Sequence, residues 1–275
     1  MSLFDAFSYQ GKRVVVVGGA TGMGAAAAEL VQDAGAEVVV MDRAEVSLAG
    51  AKAIHVDMSD KASIEAATAE CGGPVDALFS CAGVADGTPG IERINFIGHR
   101  HMIDLMVASG QLARGSAIGL ISSAAGFGWE QNLTLLNEYL DITDFDAATA
   151  WAVDHMKTDY IWSKLAINAY VAREAFGFLK QGIRINAILP GPTNTPLARA
   201  NAETWLSFGA DYREELGVEA STALDQAYPL VFLCSDAAAS IAGVTLVTDI
   251  GYFASGVSGS HQSASDAVGF LRSVF

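Results

Sequence analysis

The chain opens with a run of valines at residues 14–17 that leads into the segment VGGATGMG and then into an alanine-rich stretch. A β-branched run of this length is typical of a buried strand, and the stretch after it predicts a helix. Gly18, Gly22 and Gly24 allow a tight turn whose backbone can come close to a bound group. Because the N–H groups at a helix N-terminus attract anions, the turn predicts a phosphate-binding site.

The same alternation of strand and helix continues along the chain. Further strands are predicted at residues 38–41, 77–80, 117–121, 184–189 and 245–247. Runs that are apolar on both faces indicate a parallel sheet between two layers of helices. Since no linker or repeat interrupts residues 1–275, one α/β domain with a Rossmann-type doubly wound sheet is expected. Two segments break the rhythm, an insertion at 128–158 and a segment at 194–228, and both are expected to carry substrate specificity.

An acidic residue follows the second strand. Asp42 lies 20 positions beyond Gly22 in the segment VVVMDR. A carboxylate at this place would accept hydrogen bonds from ribose hydroxyls and would repel a 2′-phosphate, which favours NAD(H) over NADP(H). The neighbouring Arg43 leaves the second cofactor open, because a guanidinium can pair with a 2′-phosphate.

Tyr160 and Lys164 stand four residues apart in TDYIWSKLAIN, which predicts that they share one face of a helix. A phenol ionises near pH 10, so a nearby cation is needed if it is to act as a base at neutral pH. The pair therefore indicates proton transfer in a nicotinamide-dependent oxidoreductase. An ordinary pair on a helix surface is the alternative.

Composition restricts the partners of the chain. Its formal net charge of -15 would repel nucleic acid and anionic membranes, so a small molecule is the expected ligand. No signal peptide or membrane-spanning run is recognised, and a soluble, cytoplasmic protein is expected. Cys71, Cys81 and Cys234 are widely spaced, which fits a reducing compartment. His99 and His101 would point to different sides of a helix, so no metal is expected.

Taken in order, these motifs resemble the short-chain dehydrogenase/reductase family along nearly the whole chain. The resemblance implies a set of cofactor contacts around the turn, the strand ends and the segment NAILPGPTNTP. They are Gly18, Thr21, Gly22, Met23, Gly24, Asp42, Asp57, Met58, Ala82, Gly83, Tyr160, Lys164, Ile188, Pro190, Gly191, Thr193 and Thr195. Asp57 would hold the adenine ring, although it could instead cap a helix, and Ile188 would contact the carboxamide through its backbone. Cys81 stands where the family usually has asparagine, so the cofactor loop is expected to be held differently.

The resemblance also implies a catalytic set. Asn95 in RINFIG resembles the family's helix asparagine, which orients a water for proton relay, and Ser123 in ISSAAGF matches the serine that holds the substrate oxygen. Ser122 is the rival candidate, but the glycine three residues after Ser123 favours the second serine. Tyr160 would exchange the proton with the alcohol, and Lys164 would stabilise the phenolate.

The insertion at 128–158 resembles that of a subgroup that includes bacterial 3α-hydroxysteroid dehydrogenase/carbonyl reductases and coniferyl alcohol dehydrogenases. The expected substrate is a hydrophobic cyclic alcohol or ketone, and the expected pocket residues are aromatic: Trp129, Trp151, Trp205 and Phe208. A terpenoid or cis-diol dehydrogenase and a non-catalytic NAD(H)-binding sensor or scaffold are the alternatives. A homodimer or homotetramer is expected. The tail from Gly256, rich in Ser and Gly, is interpreted as a flexible end or a lid over a neighbouring site.

Overall fold

A computed structural model describes residues 2–273 and contains one large parallel sheet. Its strands are β1 Arg13–Val17, β2 Glu37–Asp42, β3 Lys52–His55, β4 Val75–Ser80, β5 Leu112–Ile121, β6 Arg184–Pro190 and, after a separate small ribbon, β9 Thr245–Thr248. The ribbon pairs β7 Thr193–Asn194 with β8 Ser221–Thr222. The large sheet has the order β3-β2-β1-β4-β5-β6-β9, with every neighbouring pair parallel. The predicted doubly wound α/β fold is confirmed, and its switch point lies between β1 and β4, where ligands bind in such folds.

Strand β3 was not predicted because its sequence, KAIH, contains one buried residue, Ile54, between exposed neighbours. The other strands of the large sheet follow the predicted runs, and the two-residue strands β7 and β8 were not predicted. In β1, Val15 and Val17 face one core while Val14 and Val16 face the other, as expected for a strand that is covered on both sides.

The α-helices flank this sheet. Within residues 2–273 they are α1 Leu3–Phe7, α2 Gly22–Asp33, α3 Lys61–Cys71, α4 Gly98–Ala108, α5 Leu133–Asp141, α6 Phe145–Asp154, α7 Tyr160–Gln181, α8 Pro196–Ala200, α9 Ala202–Trp205, α10 Ala210–Leu216, α11 Ala223–Cys234, α12 Tyr252–Ser258 and α13 Gln262–Ser273. The core on one face of the sheet includes residues of α3, α4 and α7, and the other includes residues of α2 and α11. None of these helices combines the length and apolar character needed to cross a bilayer.

Helix α7 carries the predicted tyrosine–lysine pair at its beginning. It starts after Asp159, whose side chain accepts a hydrogen bond from the N–H of Trp162, and it ends at Gly182 in the left-handed conformation. Both ends therefore have the residue types that cap helices. This capping fixes where Tyr160 enters the helix.

The two predicted interruptions, and the tail up to residue 273, consist mostly of helices. Residues 128–158 contain α5 and α6, and residues 194–228 contain α8, α9, α10 and the start of α11. The interpretation of the tail as a flexible end is wrong, because α12 and α13 occupy it. Ala264 and Val268 of α13, four positions apart, are buried against the rest of the chain. That spacing is helical, but the many Ser and Gly residues around it obscured the signal.

Candidate active site

The glycine turn packs against the loop that follows β4. Gly18 has φ +80°, and a Cβ at this position would overlap the main chain of Ala82. A Cβ on Gly24 would overlap the carbonyl oxygen of Gly18. Glycine at these two positions is therefore required by a left-handed backbone and by close approach of two main-chain segments.

A cleft of about 230 Å³ opens beside this turn. Its walls contain many of the predicted cofactor residues: Gly18, Thr21, Gly22, Met23, Gly24, Asp42, Asp57, Met58, Ala82, Gly83 and Thr195. Thr21 precedes α2 and makes no capping hydrogen bond with its side chain, so the side chain does not occupy the N–H groups of the first turn. The cleft thus combines a helix N-terminus with a close glycine backbone, and it fits the pyrophosphate of a dinucleotide.

Two carboxylates in the cleft accept hydrogen bonds from nearby backbone N–H groups and a hydroxyl. Asp42 accepts from the N–H of Ala20 with one oxygen and from that of Ala44 with the other, both at 2.9 Å. Asp57 accepts from the hydroxyl of Ser59 at 2.7 Å and from its N–H at 2.9 Å, and these bonds lower the pKa of Asp57. The N-cap of α3 is Asp60 rather than Asp57, so the capping alternative for Asp57 does not hold.

Buried His99 holds the loop at Cys81, where the family's asparagine is missing. Its Nδ1 lies 2.7 Å from the hydroxyl of Ser80, and its Nε2 lies 2.9 Å from the carbonyl oxygen of Ala82. Burial lowers the pKa of His99 to about 4, so the ring is neutral near pH 7. A neutral ring that donates from Nε2 to Ala82 accepts at Nδ1 from Ser80. The sequence analysis considered His99 only as a metal ligand and missed this role.

The predicted catalytic side chains Ser123, Tyr160 and Lys164 meet in a second cavity of about 370 Å³. The ammonium of Lys164 lies 5.3 Å from the centre of the Tyr160 ring and donates to the carbonyl of Ile121 at 3.1 Å. The hydroxyl of Ser123 is close enough to the phenol of Tyr160 to lower its pKa. Ser122 instead donates to the carbonyl of Lys164 at 3.1 Å, which gives it a packing role and supports Ser123 as the functional serine.

Burial dominates the ionisation of this group. It raises the pKa of Tyr160 to about 12, although the hydrogen bond from Ser123 acts in the opposite direction. It lowers the pKa of Lys164 to about 8. Loss of water around the phenol is the largest cause of the raised pKa of Tyr160, and stabilisation of the phenolate by Lys164 stays a prediction.

Asn95 lies on a π-helical turn, Arg93–Ile97, directly before α4. Its side-chain amide is hydrogen-bonded to the backbone of Val84 on both sides, at 2.8 and 3.1 Å, and donates to the hydroxyl of Ser163 at 3.2 Å. It is fully buried, and it joins the loop after β4 to α7. A relay role for Asn95 stays a prediction.

The turn after β6 contributes Pro190, Gly191, Thr193 and Thr195 to the wall of the second cavity. Ile188 does not line either cavity described here. It is fully buried in the sheet, and its carbonyl accepts from the N–H of Ser122 at 2.9 Å. The predicted backbone contact of Ile188 with the carboxamide stays a prediction.

The aromatic residues predicted for substrate binding divide into two groups. Trp205 and Phe208 line the second cavity, and the Trp205 ring lies 4.9 Å from that of Tyr160. Trp151 stacks on Tyr139 at 4.8 Å, away from that wall. Trp129 lies beside a separate cavity near β9. Helix α5 packs against α7, and α6 packs against α5 and the turn Arg93–Ile97. The structure does not bring Trp129 or Trp151 to the wall of the second cavity, and substrate binding by these two residues stays a prediction.

Some residues of this cavity were missed by the sequence analysis. Asp86, in the loop after β4, accepts from the N–H of Tyr160 at 2.7 Å and so positions the start of α7. Phe270 and Leu271 of α13 line the cavity from the C-terminal side. The only signal for them was the helical spacing of apolar residues in the tail.

Known proteins resemble this chain over most of its length. A family model described as enoyl-(acyl carrier protein) reductase matches residues 18–253. The coniferyl-alcohol dehydrogenase of Pseudomonas sp. strain HR199 is 25% identical over 249 residues, covering 87% of this chain and 96% of that protein. The cis-4-hydroxycyclohexanecarboxylate dehydrogenase of Sinomonas cyclohexanicum is 30% identical over 255 residues, with coverage of 87% and 96%.

A solved structure gives the same picture. The 3-alpha-hydroxysteroid dehydrogenase from Pseudomonas sp. B-0831, complexed with NADH, has a TM-score of 0.71 and 26% sequence identity, and the match covers 88% of this chain and 97% of that one. The predicted resemblance to coniferyl alcohol and hydroxysteroid dehydrogenases is confirmed by these matches. The chain belongs to the short-chain dehydrogenase/reductase family, a family of oxidoreductases that use a nicotinamide cofactor.

Proposed function

We propose that this protein is an NAD(H)-dependent dehydrogenase that interconverts a secondary or allylic alcohol on an uncharged ring with its carbonyl. The observation that carries the proposal is the meeting of Ser123, Tyr160 and Lys164 in a cavity that shares walls with the dinucleotide cleft. Met23, Thr195 and Leu197 line both spaces. A cofactor in the cleft would thereby bring its reactive end to the catalytic side chains.

The cofactor would be held by the glycine turn and α2 at its pyrophosphate, by Asp42 at a ribose, and by residues 190–195 near its nicotinamide. The bound nicotinamide supplies a hydride acceptor or donor. Ser123 would donate a hydrogen bond to the substrate oxygen. Tyr160, protonated near neutral pH, would donate its proton to the oxygen in the reductive direction and accept it in the oxidative direction.

Lys164 and Asn95 would complete the proton path. Lys164 is buried beside the phenol, and the positive charge it carries below its pKa of about 8 favours the phenolate. A Cβ built on Gly83 would lie 3.5 Å from the Asn95 amide oxygen and 3.9 Å from the Lys164 ammonium, so both groups border the same small space. We propose that water in this space passes the proton onward.

The lining of the cavity supports a neutral ring as substrate. Trp205, Phe208, Phe270, Leu197 and Leu271 supply apolar side chains, and Lys164 is the one basic residue among the lining residues in the described chain. Arg199 does not line the cavity, and its guanidinium donates to the side-chain oxygen of Asn194 at 2.8 Å. The names of relatives that act on coniferyl alcohol, cis-4-hydroxycyclohexanecarboxylate and a hydroxysteroid agree with a ring-bearing alcohol, although the second of these substrates carries a carboxylate.

The test is a parallel assay of the purified protein with NAD+ and three alcohols: cyclohexanol, coniferyl alcohol and a 3α-hydroxysteroid. We expect NADH absorbance to rise with at least one of them, because each presents a hydroxyl on or beside a ring. NADH binding is measured separately by fluorescence. Tight NADH binding without turnover of any alcohol or the corresponding carbonyl would support the sensor or scaffold alternative instead.

Cofactor choice provides a second prediction. We expect NAD+ to be preferred over NADP+, because the Asp42 carboxylate would hydrogen-bond ribose hydroxyls and repel a 2′-phosphate. Hydrogen bonds to charged groups contribute about 1.5–3 kcal/mol. We therefore expect Asp42→Ala to reduce the ratio of kcat/KM for NAD+ to kcat/KM for NADP+ by roughly 10–100-fold. Arg43→Ala is the matched control and should raise the ratio or leave it unchanged. A wild-type preference for NADP+ would contradict the assignment.

We further propose that the protein is a homo-oligomer, either a dimer or a tetramer. Strand β9 is at the edge of the sheet, and Leu246 on it is an exposed apolar residue. An exposed edge of this kind can pair two subunits about a twofold axis. Helices α5 and α7 pack against one another, so part of the α7 surface is already covered within the subunit.

A further inference from the structure

The C-terminal helix α13 forms one wall of the alcohol cavity. Phe270 and Leu271 line it together with Ser123 and Tyr160 of the same chain. The helix lies beyond residue 253, where the match to the family model ends. The residues of this wall therefore lie outside the part of the chain that the family model matches.

The inner face of α13 is packed firmly onto the body. Ala264 and Val268 are buried in a cluster with Tyr252, Phe253 and Ala124, the residue after the functional serine. A Cβ on Gly256 would overlap the carbonyl of Ala264, so α12 and α13 approach closely. The hydroxyl of Tyr252 also donates to the carbonyl of Ser263 at 3.2 Å.

The start of α13 is also joined to α10, in the segment that carries the other cavity walls. His261 lies edge-on to Tyr212, with ring centres 5.0 Å apart, and its Nε2 is 3.4 Å from a carboxylate oxygen of Glu215. The hydroxyl of Ser263 is close enough to the carboxylate of Asp211 to lower its pKa. Thus α10, which follows the cavity residues Trp205 and Phe208 along the chain, holds the start of α13.

The size of the enclosed space restricts the substrate. The cavity is about 370 Å³, near the lower end of the roughly 300–1,000 Å³ found for small-molecule sites. Pro190, Gly191 and Thr193 line the same space and would face the nicotinamide. The cofactor ring therefore takes part of this volume, and the remainder suits a small ring system.

We infer that α13 is a fixed cap whose residues Phe270 and Leu271 set an upper size limit, so that alcohols with one or two rings are accepted in preference to four-ring steroids. This inference rests on the proposed function for the reaction itself. Leu271 is partly buried, whereas Phe270 is 61% exposed and lies at the rim of the cavity. Shortening either side chain would enlarge the opening without removing the buried anchors Ala264 and Val268.

The test compares wild type with Phe270→Ala, Leu271→Ala and the double variant. The readouts are kcat/KM for cyclohexanol and for a 3α-hydroxysteroid, and the Kd of the corresponding steroid ketone by calorimetry for protein saturated with NAD+, which cannot reduce the ketone. Phe176→Ala is the matched control, because Phe176 on α7 is 69% exposed and does not line the cavity. Thermal unfolding confirms that every variant is folded.

We expect the ratio of steroid to cyclohexanol kcat/KM to rise about tenfold or more in the cavity variants, since steric exclusion in an apolar pocket has effects of this size. The steroid ketone should bind more tightly to them, and Phe176→Ala should resemble wild type. An unchanged ratio and Kd would overturn the inference, as would a wild type that prefers the steroid. Absence of all turnover would refute the proposed function, while the calorimetric comparison would still decide the role of α13.

Discussion

Replacement of Tyr160 by Phe is expected to lower kcat for alcohol oxidation by roughly 10²–10⁴-fold, the range that general acid–base groups contribute. The variant lacks only the phenol oxygen, and its ring can still contact Trp205. Tyr160 does not line the cofactor cleft, so we expect the Kd for NADH to stay within about twofold of the wild-type value. Steady-state NADH absorbance measures kcat, and a titration of NADH fluorescence measures the Kd.

Tyr228→Phe provides the matched control for this loss. Tyr228 is on α11, is 54% exposed and lines neither the cleft nor the alcohol cavity. Its variant should therefore keep wild-type kinetics. Robust turnover by Tyr160→Phe would show that another group transfers the proton and would refute the proposed mechanism.

Gly18→Ala is expected to destabilise the fold and to abolish measurable cofactor binding. The left-handed backbone costs an L-residue about 1–2 kcal/mol, and forcing a methyl group into a packed contact adds roughly 1–3 kcal/mol. That contact is with the main chain of Ala82, which cannot move without shifting the loop held by His99. Thermal unfolding and NADH titration of the variant measure the two effects.

Gly110→Ala separates backbone strain from steric overlap. Gly110 has φ +74°, close to the +80° of Gly18, but an added Cβ would meet no heavy atom within 4 Å. We expect this variant to show only the smaller loss of stability and to bind NADH normally. Equal losses in Gly18→Ala and Gly110→Ala would mean that the contact with Ala82 is unimportant.

Much of the fold could be predicted because the buried strands are written as β-branched runs. The valines of β1 face two cores. A continuous apolar run of this kind is typical of a strand that is buried on both faces of a parallel sheet. Strand β3 escaped prediction because one buried residue, Ile54, cannot produce a pattern. Tyr160 and Lys164 could be predicted from their spacing of four residues on one helix, and the family resemblance supplied Ser123. Both signals are local in the sequence and do not depend on distant packing.

What could not be predicted depends on which surface a helix covers. The aromatic residues of the insertion suggested a pocket, but the sequence does not say that Trp151 would stack on Tyr139 beside α7. The position of α13 was not predicted for the same reason. Its apolar residues indicate a helix with one buried face, but they do not show that Phe270 and Leu271 line the cavity. The role of His99 was also hidden, since its partners, Ser80 and Ala82, are brought to it by the end of β4.

The arrangement of the two spaces has a consequence for the engineering of the enzyme. Met23, Thr195 and Leu197 border both of them, so substitutions there would alter the fit of dinucleotide and alcohol at once. Phe270 and Leu271 border the alcohol cavity and not the cleft. The last helix is therefore the place where libraries of variants can diversify the alcohol accepted while the affinity for the dinucleotide is left as it is.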